Sequence, residues 1–254
     1  MDERELRRRK KKVKVYRMRF LRVLGAAGIL ILAALVVLAV FRQVHTKKQE
    51  TVAMSDEERQ ILDDLKQQMT DKDFVLILDA GHGGSDVGTG SADYYEKDLN
   101  MDIVWTMKEM LDYCGVTVLL TRDGDETVTL EERSLFANES EADYFVSVHC
   151  NYCEEDASVA GLECYYWNTS PAGKAYADAI IHAAAENQEI GIRGTKTEDF
   201  HVLRETKLPA VLIETGYLSN SGERSKLYDK EYQKTLSVYL VKGIIEGYLQ
   251  TETE

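Results

Sequence analysis

Two of the five histidines in this 254-residue chain stand where apolar runs end. His82 follows FVLIL (74–78), inside the loop Asp79-Ala80-Gly81-His82-Gly83-Gly84. Glycines on both sides let the backbone turn sharply and leave an imidazole uncrowded, although an incidental turn histidine would look the same. His149 follows YFVSV (144–148), and Glu214 closes AVLI (210–213), where an acid could equally be an edge charge meeting solvent. Glu96, in YYEKDLN, opens a helical pattern, a position that the helix dipole alone favours for a carboxylate. Together, two histidines and two carboxylates are a donor set for zinc hydrolysis. Two imidazoles and one carboxylate leave an open position for water, whose pKa zinc lowers to about 7. The second carboxylate would then serve as a general base.

That chemistry requires a scaffold that brings distant residues to one place. FVLIL (74–78), VTVLL (116–120), YFVSV (144–148), LECYYW (162–167) and AVLI (210–213) read as strands. Between them lie amphipathic segments. Residues 97–113 place Leu99, Ile103, Met107, Met110 and Leu111 on one face before Gly115, and Thr129-Leu130-Glu131-Glu132 offers a capping box for a helix to about Ser140. Further helices are expected over about 171–188 and 230–249. Strands alternating with helices imply an α/β domain, its mostly parallel sheet flanked by helices on both faces. In such sheets ligands bind at the carboxyl ends of the strands. His82, His149 and Glu214 all fall at that edge, and Glu96 joins them at the start of the following helix.

Charge divides the chain sharply. Residues 1–22 hold 11 Lys/Arg against Asp2, Glu3 and Glu5, a formal +8, so the rest of a chain of net charge −13 carries −21. A basic tip on an acidic body argues against nucleic-acid binding. The tip precedes nineteen uncharged residues, Val23 to Phe41. That length at helical rise spans roughly 30 Å of hydrocarbon, and the positive-inside rule keeps residues 1–22 cytoplasmic. The expectation is a single-pass cell-membrane anchor over 23–41 with residues 73–254 outside the cytoplasm as the catalytic domain. A cleaved signal ending near Val37-Leu38-Ala39 is the alternative, and its apolar region would be unusually long. Residues 42–72 read as a juxtamembrane tether with a short helical stalk that packs on the domain or on a second copy. There Ser55-Asp56-Glu57-Glu58 forms a capping box, and Ile61, Leu62, Leu65 and Met69 follow at helical spacing.

The chemistry-bearing residues also sit in a recognisable series: DAGHGG (79–84), EKDLN (96–100), TRD (121–123), RxxxAN (133–138), SVHCN (147–151), GLECYY (161–166), RG (193–194) and LPAVLIETGYLSN (208–220). In this order they resemble the zinc-dependent N-acetylmuramoyl-L-alanine amidases of the type 3 family, over about residues 74–249. The resemblance implies a six-stranded α/β sheet and one zinc ion held by His82, Glu96 and His149. It makes Glu214 the catalytic glutamate and peptidoglycan the substrate, cut between muramic acid and L-alanine. Asn151, Arg193 and Arg122 become candidate substrate contacts, with a surface salt bridge as the plainer reading of Arg122.

The sequence departs from the family pattern at Ala80, Cys150 and Tyr217. Cys150 and Cys153 form a C-x-x-C beside His149, read as free thiols or a local disulfide rather than ligands. Glu163 and His201 fall near matched motifs and are read as ordinary surface or structural residues. His45 and His182 lie outside the motifs. Tyr94, Tyr95, Tyr165, Tyr166 and Trp167 read as packing residues. Two other functions keep the same sequence signature: a zinc peptidase cutting within the stem peptide, and a catalytically silent wall-bound scaffold. Neither a ligand nor the catalytic acid is missing, which disfavours the scaffold. Nothing in the sequence identifies a protein activator.

Overall fold

Alternation along the strands explains how the sheet buries two unlike faces. In the computed structural model, which describes residues 54–91 and 94–251, β1 spans Val75–Ala80, β4 Thr117–Leu120, β5 Tyr144–Asn151, β6 Leu162–Tyr166, β7 Ile192–Thr197 and β8 Ala210–Tyr217. They form one six-stranded sheet in the order β4-β1-β5-β8-β6-β7. The first four run parallel, β6 meets β8 antiparallel, and β7 runs parallel to β6. A two-residue pair, β2 (Gly90–Ser91) with β3 (Tyr94–Tyr95), stands apart.

On one face Leu76, Leu78, Val146, Val148, Val211 and Ile213 join a cluster of 38 buried residues. The helices covering it are α1 (Asp56–Gln68), α2 (Glu96–Cys114), α4 (Pro171–Ala184) and α7 (Lys230–Thr251). Ile77, Phe145, Ala210 and Leu212 point the other way into a cluster of only eight, under α3 (Leu130–Glu139) and the single turn α5 (His201–Arg204). The last short helix, α6, spans Ser221–Leu227. With a two-residue side-chain period, the residues that continue Phe145 and Leu212 on this thin face are Ser147, His149 and Glu214.

Several sequence expectations shift. The ladder outlasts the apolar residues, so His149 and Glu214 lie within β5 and β8 rather than after them. Neighbouring strands on both sides of β5 and β8 supply backbone hydrogen bonds whatever the side chain. β7, with the sequence IRGTKT, carries too little apolar character to read as a strand, because it is a half-exposed edge. The helix at 171 stops at Ala184, short of 188.

Both expected capping boxes form. Ser55 pairs with Glu58 and Thr129 with Glu132. α1 packs on the domain: Leu62, Leu65 and Met69 are buried in the large core, and Glu58 accepts a hydrogen bond from Thr235 of α7 at 2.6 Å. The expected membrane anchor at 23–41 and the basic tail lie outside the described residues. Among the described residues no helix is long and apolar enough to cross a membrane.

Candidate metal centre

His82 is placed by a loop that has almost no freedom. It adopts φ +62°, in the left-handed region that a non-glycine residue enters only under constraint. The constraint comes from two buried arginines that hold the loop's carbonyls. Arg122 donates to Ala80 O at 2.8 Å and Gly81 O at 3.1 Å; Arg133 donates to Ala80 O at 2.9 Å and His82 O at 2.6 Å. Asp79, also buried, offsets one of those two charges by pairing with Arg133, and it accepts from Ser147 and Thr121.

Glu96 is the first residue of α2 and is buried. One carboxylate oxygen lies 3.2 Å from His82 Nε2, and the other lies 3.0 Å from His149 Nδ1. It also accepts from the backbone N–H of Thr89 at 2.9 Å and of Cys150 at 3.1 Å. Burial pushes its pKa up, but the hydrogen bonds and charges of His149 and His82 outweigh that and hold it far below the ordinary carboxylate value. His82 is pushed down by burial and more strongly up by Glu96 and Asp86, so its pKa is raised above the usual 6.5. Asp86 contacts His82 Nδ1 at 2.9 Å and so fixes the ring with Nε2 facing Glu96. This is the outer carboxylate that ligating histidines commonly have.

One donor atom from each of His82, Glu96 and His149 lies within 4.8 Å of the other two. Gly81 makes this approach possible: a Cβ there would lie 2.2 Å from His149 Cε1. Glu214 pairs in register with His149 on the neighbouring strand. Burial raises its pKa well above the usual value, with Glu96 and Glu163 adding to the rise, and its Oε2 is buried without a hydrogen-bond partner. An orphaned buried carboxyl oxygen is costly, and it marks a group kept for a ligand or a proton rather than for stability.

The other candidates are sorted by what their polar atoms touch. Arg122 forms no surface salt bridge. Its guanidinium is buried and spent on the carbonyls of Ala80, Gly81, Lys97 and Gly124. Asn151 and Arg193 both reach Glu163, which the sequence reading set aside and the structure buries completely. Register gives the signal that sequence alone lacked: Glu163 lies directly opposite Glu214.

Cys150 points into the large core, its thiol against Thr215 Oγ1 and its pKa raised well above the ordinary value by burial. Cys150 and Cys153 are both free, and neither belongs to the donor cluster. His201 opens α5 away from that cluster.

A mostly parallel α/β sheet with a His/Glu/His cluster and a buried carboxyl group beside it at the carboxyl edge has the architecture of a hydrolytic enzyme. The profile of a family described as N-acetylmuramoyl-L-alanine amidase matches residues 76–246. N-acetylmuramoyl-L-alanine amidase CwlM of Bacillus licheniformis is 34% identical over 176 residues, 68% of this chain and 68% of that protein. Among solved structures, the N-acetylmuramoyl-L-alanine amidase AmiC2 of Nostoc punctiforme superposes with a TM-score of 0.65 at 35% identity, covering 70% of this chain and 97% of that one. The CwlD amidase of Clostridioides difficile, solved in complex with the GerS lipoprotein, gives 0.64 at 28% identity, covering 70% of this chain and 100% of that one. The chain belongs to the N-acetylmuramoyl-L-alanine amidase family.

Proposed function

We propose that this protein hydrolyses the amide bond between N-acetylmuramic acid and the L-alanine of the peptidoglycan stem peptide, using one zinc ion held by His82, Glu96 and His149. The observation that carries the reading is the convergence of three donor atoms within 4.8 Å, beside a buried carboxyl oxygen that has no partner. The donor set fits the group. Two imidazole nitrogens and a carboxylate held ionised form the combination that leaves a zinc position open to water. When bound, zinc polarises the amide carbonyl and makes water a nucleophile near neutral pH.

The chain's own residues do the rest. Asp86 accepts the Nδ1 proton of His82 and keeps Nε2 free to ligate. Glu214 takes a proton from the attacking water and returns it to the departing amine nitrogen of L-alanine. We also place the domain outside the cytoplasm, anchored through the apolar run 23–41. A reporter fused after Glu254 that works only in the cytoplasm would sink that placement.

The direct test is mass spectrometry of peptidoglycan digested by the purified protein, with zinc and with chelator. Zinc-dependent release of intact stem peptides bearing a free L-alanine amine is expected. Shortened peptides still attached to muramic acid would mean a peptidase instead. No zinc-dependent product from folded, zinc-loaded protein would refute the hydrolytic reading.

A further inference from the structure

Asn100 is fully buried, and its carbonyl oxygen Oδ1 has no hydrogen-bond partner among the described residues. A buried acceptor left bare is costly. The other end of the same amide is well used: Nδ2 donates to Gly81 O and to Glu96 Oε1, both at 3.2 Å. Two acceptors on one side settle which end of the amide faces them. Turned over, Asn100 would set its own carbonyl against two oxygens. The bare Oδ1 is the consequence of this orientation.

α2 supplies the placement. Glu96 and Asn100 stand four residues apart, one turn along the same helix face. Gly81 precedes His82, and its backbone passes against the His149 ring. Asn100 thus ties the helix start that carries one expected ligand to the loop that carries another, where that loop passes the third. The two carboxylate oxygens of Glu96 are held differently. Oε1 accepts from Asn100 Nδ2 and from the Cys150 N–H at 3.1 Å, whereas Oε2 accepts from the Thr89 N–H at 2.9 Å. His149 Nδ1, 3.0 Å from Oε1, belongs to an expected ligand rather than to a support. Two supporting donors occupy the lone pairs of Oε1, and one leaves a lone pair on Oε2, the oxygen 3.2 Å from His82 Nε2.

On the basis of the zinc centre proposed above, we infer that Asn100 is a positioning residue: it anchors Glu96 through Oε1 so that Oε2 is the oxygen presented to the metal. Supports of this kind orient ligands in the way Asp86 orients His82.

Asn100→Leu keeps the branched shape of the side chain and removes both donations. Neither acceptor is left bare, because Arg122 still reaches Gly81 O at 3.1 Å and the Cys150 N–H still reaches Glu96 Oε1. The unpaired carbonyl disappears as well, so the chelated variant should melt no lower than chelated wild type. Its zinc dissociation constant, measured by chelator competition on the full chain, should rise about 10–100-fold. Cobalt in place of zinc gives a spectroscopic reading: with Oε1 released to join Oε2 on the metal, the coordination number rises and the visible d–d bands weaken. Asn100→Ala, which adds no bulk, is the second variant and should show the same weakened zinc binding and cobalt bands. Zinc constants within roughly threefold of wild type in both variants overturn the role. So does an Asn100→Leu protein that loses zinc affinity only alongside a lower chelated melting temperature, or the unfolding of both chelated variants, which would make Asn100 a structural residue. If the zinc and cobalt differences appear yet wild type cuts no peptidoglycan, the amidase reading fails and the role of Asn100 stands. Wild type that takes up no zinc refutes both.

Discussion

Replacing Arg133 by methionine keeps the length of the side chain and removes every donor it uses. In the native protein Arg133 pairs with buried Asp79 and holds Ala80 O at 2.9 Å and His82 O at 2.6 Å. The variant leaves the Asp79 carboxylate in the interior with only the hydroxyls of Ser147 and Thr121. It also strips donors from two carbonyls of the loop that carries His82. Breaking a buried pair by removing one partner costs about 3–5 kcal/mol. With a urea slope of ~2–3 kcal/mol/M for a body of this size, the midpoint should fall by roughly 1–2.5 M. The assay is urea unfolding followed by tryptophan fluorescence in the presence of chelator, so that metal binding does not enter. With zinc present, a further loss is expected as the His82 loop relaxes. A chelated midpoint within ~0.5 M of wild type, at an unchanged slope, would refute the claim that this arginine holds the loop.

Three further outcomes are expected. Glu214→Gln should bind zinc as the parent does while losing hydrolysis by about 10²–10⁴-fold, and activity within tenfold of wild type would remove its proton-transfer role. Gly81→Ala should weaken zinc binding by roughly 10–100-fold, because the added Cβ would sit 2.2 Å from His149 Cε1; an unchanged zinc titration would show that the ring has room to move. The metal-free protein should lose stability on both sides of a pH window. The raised pKa of His82 contributes stability that is complete below 6.5 and disappears as pH rises through the folded value. The lowered pKa of Glu96 contributes stability present above 4.5 and lost as pH falls through its folded value. Melting temperatures of chelated wild type and of His82→Ala check this, and an alkaline slope of equal size in both would count against the His82 assignment.

Much of the site could be read from sequence because metal ligands sit at strand ends, and apolar runs mark where strands lie. His82, His149 and Glu214 stand out by that pattern and Glu96 by opening the next helical segment, and the structure brings His82, Glu96 and His149 together. The supporting residues are a different matter. Arg122 and Arg133 lie at similar exposed-looking positions in sequence, and only the path of the loop shows that their guanidiniums are consumed by carbonyls. Glu163 and Glu214 are 51 residues apart in the chain and face each other only because β6 runs antiparallel to β8. No local pattern encodes that reversal. β7 escaped notice because an edge strand needs few apolar residues, and what covers the apolar face of α1 was not legible because it depends on α7, far along the chain.

The two faces of the sheet are unequally furnished: 38 buried residues form the cluster on one side and eight the cluster on the other, the side that His149 and Glu214 share. Cohesion and chemistry are thereby placed in separate layers. Apart from the Asp79–Arg133 pair, side chains on the lightly covered layer can change without disturbing the mass of packed residues that keeps the molecule folded. A polymeric substrate also meets little bulk on that side. A change on the thin layer therefore disturbs fewer buried neighbours than one on the thick layer, and His149 and Glu214 belong to the thin one.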